Sequence, residues 1–520
     1  MAITLRSVVE LLRGHGLLRE IIHGDLWTLD PDRLDGVDVD APIPAITYDT
    51  REVVPGTLLF IKGRFQPEFL DGIDAKGLGL YVAEAEYAGR TAAPGVIVNN
   101  VHQAMSLVAA EFYGRPQDRL TLVGVTGTKG KTTTNYFVHA ILNAYSGGHA
   151  AMMSSIACCL DGRTWEPSHL TTPEPLDSLR MMRRAVDAGM RYLVMEVSSQ
   201  AYKVFRVHGI TFDVAAFLNI SPDHISPIEH PTFEDYFFCK RQIIANCRRL
   251  VLGADSAHHG LLMEEAARHG VPVTQFAVRE AGAGAEGVDV VARPDPAVKT
   301  GFTVTVGGRD LGLVELDMLG EFNFANAAAA IALAQAAGVP ADDPAMRAVG
   351  RVQVPGRMER IPGGENLLVF VDFAHNYLST KALVDEMERV YGDRDPRITL
   401  VAGTTGGKAI DRREGIVKGA LGRAAVFEFT LDDPNFEDPR KICDEMASFV
   451  TDPKAEVRIN IDRTAAIGEA IAGARADAEA TGRLNIVLVI GKGHETRNII
   501  DGKAVAWPGD AVVVRRVLEG

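Results

Sequence analysis

The residues best placed to do chemistry lie in the stretch Gly127-Thr-Lys-Gly-Lys-Thr-Thr133. It follows an apolar run, Leu120-Thr-Leu-Val-Gly-Val125, and precedes a helical pattern from Thr132 to about Asn143. A strand, a glycine turn and a helix N-terminus make a phosphate cradle. Backbone N–H groups point into the turn, and the helix dipole favours an anion there. Lys131 supplies a point charge for the β- and γ-phosphates of a nucleotide, and Thr132 a hydroxyl for Mg²⁺. The general phosphate-loop pattern has glycine where Val125 stands; the nearer glycines are Gly124 and Gly127. A glycine turn that merely contains a lysine is the plain alternative, and the strand–turn–helix context speaks against it.

Other polar groups end apolar runs. Arg191-Tyr-Leu-Val-Met-Glu-Val-Ser-Ser199 carries Glu196, and a carboxylate at the end of a buried strand costs free energy unless it is partnered. Val214-Ala-Ala-Phe-Leu-Asn-Ile220 delivers Ser221-Pro-Asp-His224. Ligands are expected at that edge of an α/β sheet, and Glu196 with His224 is a candidate Mg²⁺ pair beside the nucleotide. Taken singly, each is more often a structural residue. Lys240 lies on a helical pattern from Phe233 to Asn246, where a solvated lysine is the plain reading.

Further along, Leu367 to Phe373 ends in Asp372 and His375, and Ile398 to Ala402 ends in Gly403-Thr-Thr-Gly-Gly-Lys408. Ala425 to Thr430 ends in Asp432-Asp-Pro-Asn435, and Asn485 to Ile490 in Gly491-Lys-Gly-His-Glu495. Strands finishing in polar or glycine-rich loops on one sheet edge are not what a purely structural domain needs.

These groups need a large scaffold. At 520 residues, and with about 100–200 residues per domain, the chain divides into roughly three domains. The boundaries expected are 1–116, a small α/β domain; 117–354, a central parallel sheet carrying the loop; and 355–520, a doubly wound, Rossmann-like domain. Ile46 to Arg51 reads as a strand running into the Pro55-Gly56 turn, and Met152 to Cys159 as one further segment. Phe302 to Val306 and Leu313 to Leu316 form a hairpin pattern around Gly307-Gly308. Hydrophobic content of 47% and charged content of 23% are ordinary for a globular protein. A net charge of −14 argues against nucleic acid as a general partner. No apolar run reaches the roughly 18 residues of a membrane helix. The first residues lack the pattern of a signal peptide, so a cytoplasmic location is expected. The five cysteines contain no C-x-x-C pair and are expected as free thiols.

Taken together, the chain resembles the Mur ligases of the MurE type over nearly its whole length. The resemblance rests on the Gly127–Thr133 loop, Thr171-Thr-Pro173, Met195-Glu-Val-Ser-Ser199, Asn219 with Asp223-His224, and Gly320 to Asn326. It continues through Pro355-Gly-Arg357, Asp372-Phe-Ala-His375, Asp432 to Asn435 and Gly491 to Glu495. It implies UDP-binding, ATP-binding and amino-acid-binding domains in that order. The implied reaction joins a diamino acid to UDP-N-acetylmuramoyl-L-alanyl-D-glutamate in peptidoglycan precursor synthesis, with ATP cleavage and Mg²⁺. Carried over, Gly127, Thr128, Lys129, Gly130, Lys131, Thr132 and Thr133 would hold ATP, with Asn323, Arg357, Asp372 and His375 on its far side. Thr132, Glu196, His224 and Lys240 would serve the metals, Lys240 as an N6-carboxylysine made with CO₂. Lys131, Glu196, His224 and Lys240 are thus the implied catalytic set. Thr171, Thr172, Ser198 and Arg206 would hold the muramoyl-dipeptide, and Asp49-Thr-Arg51 resembles the family's uridine-nucleotide element. That triplet also suits a plain structural turn. The third domain is expected to close over the second, and a monomer is expected.

Two departures bear on specificity. Members that add meso-diaminopimelate have Asp-Asn-Pro-Arg where this chain has Asp432-Asp-Pro-Asn435. Asn435 has no charge for that amino acid's second carboxylate. Asp432, Asp433 and Glu495 are instead expected to receive a side-chain ammonium, which selects L-lysine, with L-ornithine close behind. Ile225 to Glu229 separates His224 from His230 by more residues than in the diaminopimelate branch, so His230 is given no metal. The Gly403–Arg413 loop also departs from the family pattern, with Arg412, Lys408 and Asp411 as its candidate contacts. The rivals are a folate-polyglutamate-type ligase, which would lack a uridine-nucleotide domain, a nucleotide-binding protein without catalysis, and a scaffold.

Overall fold

Near-continuous apolar runs, bounded by glycines and polar turns, become strands buried on both faces. The computed structural model describes residues 3–168, 170–222, 225 and 229–520. The chain divides into two compact units: Met1–Ala277 with Gly287–Val290 and Ala329–Met346, and Val278–Glu286 with Val291–Ala328 and Arg347–Gly520.

The first unit opens with a six-stranded sheet in the order Leu26–Thr28, Leu18–His23, Gly95–Val98, Leu80–Ala83, Leu58–Phe60, Ile46–Thr47. Period-two alternation sends Leu58, Phe60, Leu80 and Val82 to one core, and Leu59, Ile61, Tyr81 and Ala83 to another. The strand expected from Ile46 to Arg51 stops at Thr47. There Asp49 caps a 3₁₀ turn, Thr50–Glu52, by accepting from the Arg51 N–H, and Thr47 Oγ1 donates to Glu52.

The same unit holds the strands that position the loop. Tyr192–Glu196, Thr121–Thr126 and Val214–Phe217 lie side by side and parallel, with Ala150–Met153 outside the first and Leu250–Gly253 outside the third. Gly124 packs against Phe212, whose ring an added Cβ would meet at 2.9 Å. The Met152 to Cys159 segment is two antiparallel strands, Ala150–Met153 and Ala157–Cys159, because the Ser154 hydroxyl bridges a tight turn between them. The helix expected to reach Asn246 runs only Phe233–Arg241. Tighter turns follow it and drive Ile243 and Ile244 into the core.

In the second unit the hairpin Gly301–Val306/Arg309–Glu315 forms as expected, with Gly307 and Gly308 at φ 54° and 80°. The main sheet has the order Glu359–Gly364, Leu367–Asp372, Asn485–Ile490, Arg397–Ala402, Ala424–Phe429, Glu456–Ile459. All but the first strand are parallel to their neighbours, so the four loops singled out in the sequence share one edge. Helices Tyr377–Tyr391, Asp411–Ala420 and Pro439–Ser448 cover one face. Helices Arg463–Thr481 and Asp510–Glu519 cover the other, which is the doubly wound pattern.

A buried ion pair braces that edge. Arg463 donates to Asp510 at 2.8 and 2.7 Å and to the carbonyls of Leu431, just past the strand Ala424–Phe429, and Ile490, the end of Asn485–Ile490, two strands that flank Arg397–Ala402. Removing one partner of a buried pair leaves the other charge stranded. Arg463→Met is therefore expected to lower stability by about 3–5 kcal/mol. Denaturant unfolding checks this, with the double variant Arg463→Met/Asp510→Asn recovering part of the loss.

All five cysteines are buried free thiols. No helix among the described residues is long and apolar enough to cross a membrane.

Candidate functional site

The loop after Thr121–Thr126 reaches the helix Lys131–Ser146 through Gly130, whose φ of 85° is left-handed and favours glycine. The Asn219 side chain clamps the loop from the neighbouring strand end. It accepts from the Lys129 N–H at 2.9 Å and donates to the Lys129 carbonyl at 3.1 Å. Thr128 meets the Tyr236 hydroxyl at 3.0 Å and accepts from the Ser221 N–H. Lys131 folds back so that its ammonium donates to the carbonyls of Gly127 and Thr128. Thr133 is buried in the first turn of the helix.

Thr132 and Glu196 meet across the two adjacent strand ends. The Thr132 hydroxyl donates to Glu196 at 3.1 Å, and the Ser155 N–H and hydroxyl donate to the other carboxylate oxygen at 2.8 and 3.0 Å. Glu196 is only 1% exposed, and these donors are what make burial of its charge tolerable. Ser155 was not anticipated; a hydroxyl just past a short apolar run was its only signal. Lys240 is 2% exposed, with its ammonium on the Gly127 carbonyl at 3.0 Å and over the Tyr236 ring at 4.9 Å. A solvated helix lysine is excluded. Asp223 and His224 lie outside the described residues.

His230 is wholly buried, between Asp235 at 2.6 Å and Ser199 at 2.9 Å. It ties the helix carrying Lys240 to the segment following Glu196. Lys203 donates to Asp235 at 2.8 Å and holds that carboxyl below its usual range.

Beside Glu196 lie the residues expected to hold a muramoyl-dipeptide. The Thr172 hydroxyl donates to the Glu196 carbonyl and accepts from the Ser198 N–H; Arg206 donates to the Thr172 carbonyl and pairs with Glu174 at 2.9 Å. Thr171 is half-buried next to them. Burial raises the Glu174 carboxyl, and Lys62 and Arg206 more than offset this, leaving it below the ordinary range. Asp49 and Arg51 engage each other, which holds the Asp49 carboxyl at about 2, while Arg51 projects into solvent.

In the second unit Asp372 accepts from the N–H groups of Met358 and Ala374, both at 2.7 Å. Desolvation pushes its carboxyl above the usual range against the pull of Arg357. Arg357 lies over the Phe373 ring, and His375 Nδ1 is 2.6 Å from the Phe373 carbonyl. Asn323 is buried and donates to the Leu319 carbonyl.

Asp432, Asp433 and Glu495 do converge, around a residue the sequence reading left out. The Lys492 ammonium sits 3.5, 2.9 and 3.1 Å from them. A lysine between two glycines at the end of a buried strand was the available signal. Asn435 has φ 54°, and its amide donates to the Gly406 carbonyl at 2.8 Å. Lys408 and Asp411 are exposed and Arg412 half-buried; Arg413 is the buried arginine, pairing with Glu437 and Glu445.

Residues 125–334 match the Mur ligase middle domain, and residues 356–493 the glutamate ligase domain of Mur ligases. The chain is 54% identical to a UDP-N-acetylmuramyl-tripeptide synthetase of Bifidobacterium longum, covering 99% of each. It is 38% identical to a UDP-N-acetylmuramoyl-L-alanyl-D-glutamate–L-lysine ligase of Streptococcus pneumoniae, covering 99% of this chain and all of that one. Its fold is similar to a solved UDP-N-acetylmuramoyl-L-alanyl-D-glutamate–2,6-diaminopimelate ligase. The TM-score is 0.65 at 22% identity, over 100% of this chain and 99% of that one.

Proposed function

The chain belongs to the Mur ligase family, and from that premise we propose that it adds a diamino acid, L-lysine first, to UDP-N-acetylmuramoyl-L-alanyl-D-glutamate with cleavage of ATP. The observation that carries the reading is the Thr132 hydroxyl held 3.1 Å from buried Glu196 at the phosphate-loop strand. Nucleotide phosphates would lie on Gly127–Thr133, with Lys131 turning from its own loop's carbonyls to their charge. Thr132, Ser155 and Glu196 offer hard oxygen donors, which suit Mg²⁺. Bound there, the ion would neutralise charge on the phosphates. We assign His224 to the same task and Lys240 as its carbamate, in which CO₂ turns an amine into a carboxylate.

The D-glutamyl side-chain carboxylate attacks the γ-phosphorus, ADP leaves, and an acyl phosphate forms. The α-amine of the incoming amino acid then attacks the acyl carbon and phosphate leaves. This chain's residues position the groups and stabilise charge, and little covalent chemistry is asked of them. Thr171, Thr172, Ser198 and Arg206 hold the dipeptide, with Asp49, Thr50 and Arg51 toward the uridine nucleotide. We assign Asn323, Arg357, Asp372 and His375 to nucleotide contacts as well. Residues 1–116, 117–354 and 355–520 divide the uridine-nucleotide, ATP and amino-acid roles. We assign the reaction to a monomer and, with ATP as its co-substrate, to the cytoplasm.

Phosphate release from ATP with the dipeptide substrate and L-lysine, L-ornithine or meso-diaminopimelate tests this. Release is expected with lysine, more weakly with ornithine, since one methylene is worth about 1–3 kcal/mol. Release only with diaminopimelate would keep the ligase and sink the specificity reading; none at all would sink both. Asn435→Arg removes the amide from Gly406 and sets a cation beside an acidic pocket. Its kcat/KM for lysine is expected to fall roughly 10–100-fold. Unchanged lysine kinetics would take Asn435 out of the specificity argument.

A further inference from the structure

Lys492 has no exposed surface, yet its flexible stem begins only two residues past a strand end. Burying an ammonium is costly unless it is paired, and here it meets three carboxylates. Those carboxylates are themselves aimed. Asp432 accepts from the Asp433 N–H at 2.7 Å, and Asp433 Oδ1 accepts both the Ile499 N–H and Lys492 at 2.9 Å. Gly491 makes room for the cluster; at its φ of 107° an added Cβ would lie 2.6 Å from Asp432 Oδ2. Arg463 holds the carbonyls immediately before Asp432 and Gly491, which fixes both loops.

Three carboxylates this close would not all stay ionised by themselves, because like charges push protons back on. One internal ammonium relieves that and leaves a formal double negative charge. We infer that Lys492 is a positioning residue of the amino-acid pocket: it aims Asp433 and Glu495 and keeps the carboxylates ionised, so that the pocket still attracts a second, incoming ammonium. This rests on the ligase reading above. Among the described residues, Arg463 with its partner Asp510 faces the cluster from behind, and Arg357 and His494 lie on the side of Asp372. His494 stays neutral, its pKa pulled down to about 4 by burial, by Arg357 and by Lys492. Burial raises the Glu495 carboxyl, and Lys492 is the group opposing that rise.

The sign follows. Removing the ammonium takes away the group that opposes the rise of the Glu495 carboxyl, so the ionised pocket is lost at a higher pH as pH falls. In Lys492→Met the acid limb of kcat/KM for the amino acid is expected to move up by about one pH unit or more. KM for lysine at neutral pH should rise about tenfold while KM for ATP is unchanged. Lys492→Arg, which keeps the charge, should restore the acid limb. A folded Lys492→Met enzyme with wild-type lysine KM and acid limb overturns the inference. So does an equal loss toward lysine and ATP that arginine does not rescue, which would make Lys492 structural only.

Should Lys492→Met fail to fold, Lys492→Gln/Asp433→Asn removes one charge of each sign and is read against Asp433→Asn alone, with the same upward limb expected and an unmoved limb overturning the inference. Wild-type phosphate release decides the ligase reading separately. If it gives none with any diamino acid, ¹³C titration of Glu495, assigned with Glu495→Gln, still decides the role of Lys492. A higher Glu495 pKa in the folded Lys492 variant supports it, and an unmoved one overturns it.

Discussion

Lys240→Ala is expected to lower kcat on the order of 10³-fold, and added bicarbonate should not restore it. The lysine is buried against the phosphate loop, its nitrogen on the Gly127 carbonyl and over the Tyr236 ring. A bare ammonium there would add one more positive charge beside Lys131. A carbamate reverses that sign and supplies oxygens that a metal can use. Lys240→Arg separates the two possibilities, since a guanidinium keeps charge and bulk but forms no carbamate. Loss of activity in both variants, with wild-type enzyme stripped of CO₂ regaining activity in bicarbonate, is the expected pattern. An active Lys240→Arg enzyme would leave the lysine as a cation. Near-normal activity in Lys240→Ala would make it a packing residue.

Glu196→Gln is expected to have an effect of the same order, on the order of 10³-fold in kcat, together with a rise of about tenfold or more in the Mg²⁺ needed for half-maximal rate. Glutamine keeps the shape but turns one acceptor into a donor. That donor would face either the Thr132 hydroxyl or the Ser155 N–H, which now donate to the carboxylate. Thr132 and Ser155 can turn their hydroxyls, whereas the Ser155 N–H cannot, so the amide oxygen should settle there. The amide nitrogen is then left toward Thr132, where the metal is assigned. Initial rates of phosphate release against Mg²⁺ concentration check this. An unchanged Mg²⁺ requirement would remove Glu196 from the metal site whatever happens to kcat.

Much of the scaffold was legible because it depends on local patterns. The strand Asn485–Ile490 is apolar without a break from Ile486 and appears in the structure with the expected ends. The glycine pair at Gly307-Gly308 needs a primed hairpin turn and makes one. Where local patterns misled, a neighbour had intervened. The short polar side chains of Asp49 and Ser154 bonded to nearby backbone and ended the expected extended segments. Beyond Arg241, helix propensity yielded to the burial of Ile243 and Ile244.

The site divides in the same way. The sequence by itself determined the phosphate loop, the parallel strands that present it, the doubly wound second sheet and the edge on which its polar loops gather. Residue type and spacing suffice for these, since a glycine turn before a helix makes its cradle from its own backbone. Only the tertiary structure decided which charges meet. Lys240 reaches a carbonyl 113 residues away, and Lys492 reaches Asp433 across 59. His230 bridges Ser199 and Asp235, and Asn435 turns its amide to Gly406 rather than outward. Whether a lysine is solvated or buried depends on the desolvation its neighbours impose and the partners they offer, and those neighbours come from other strands.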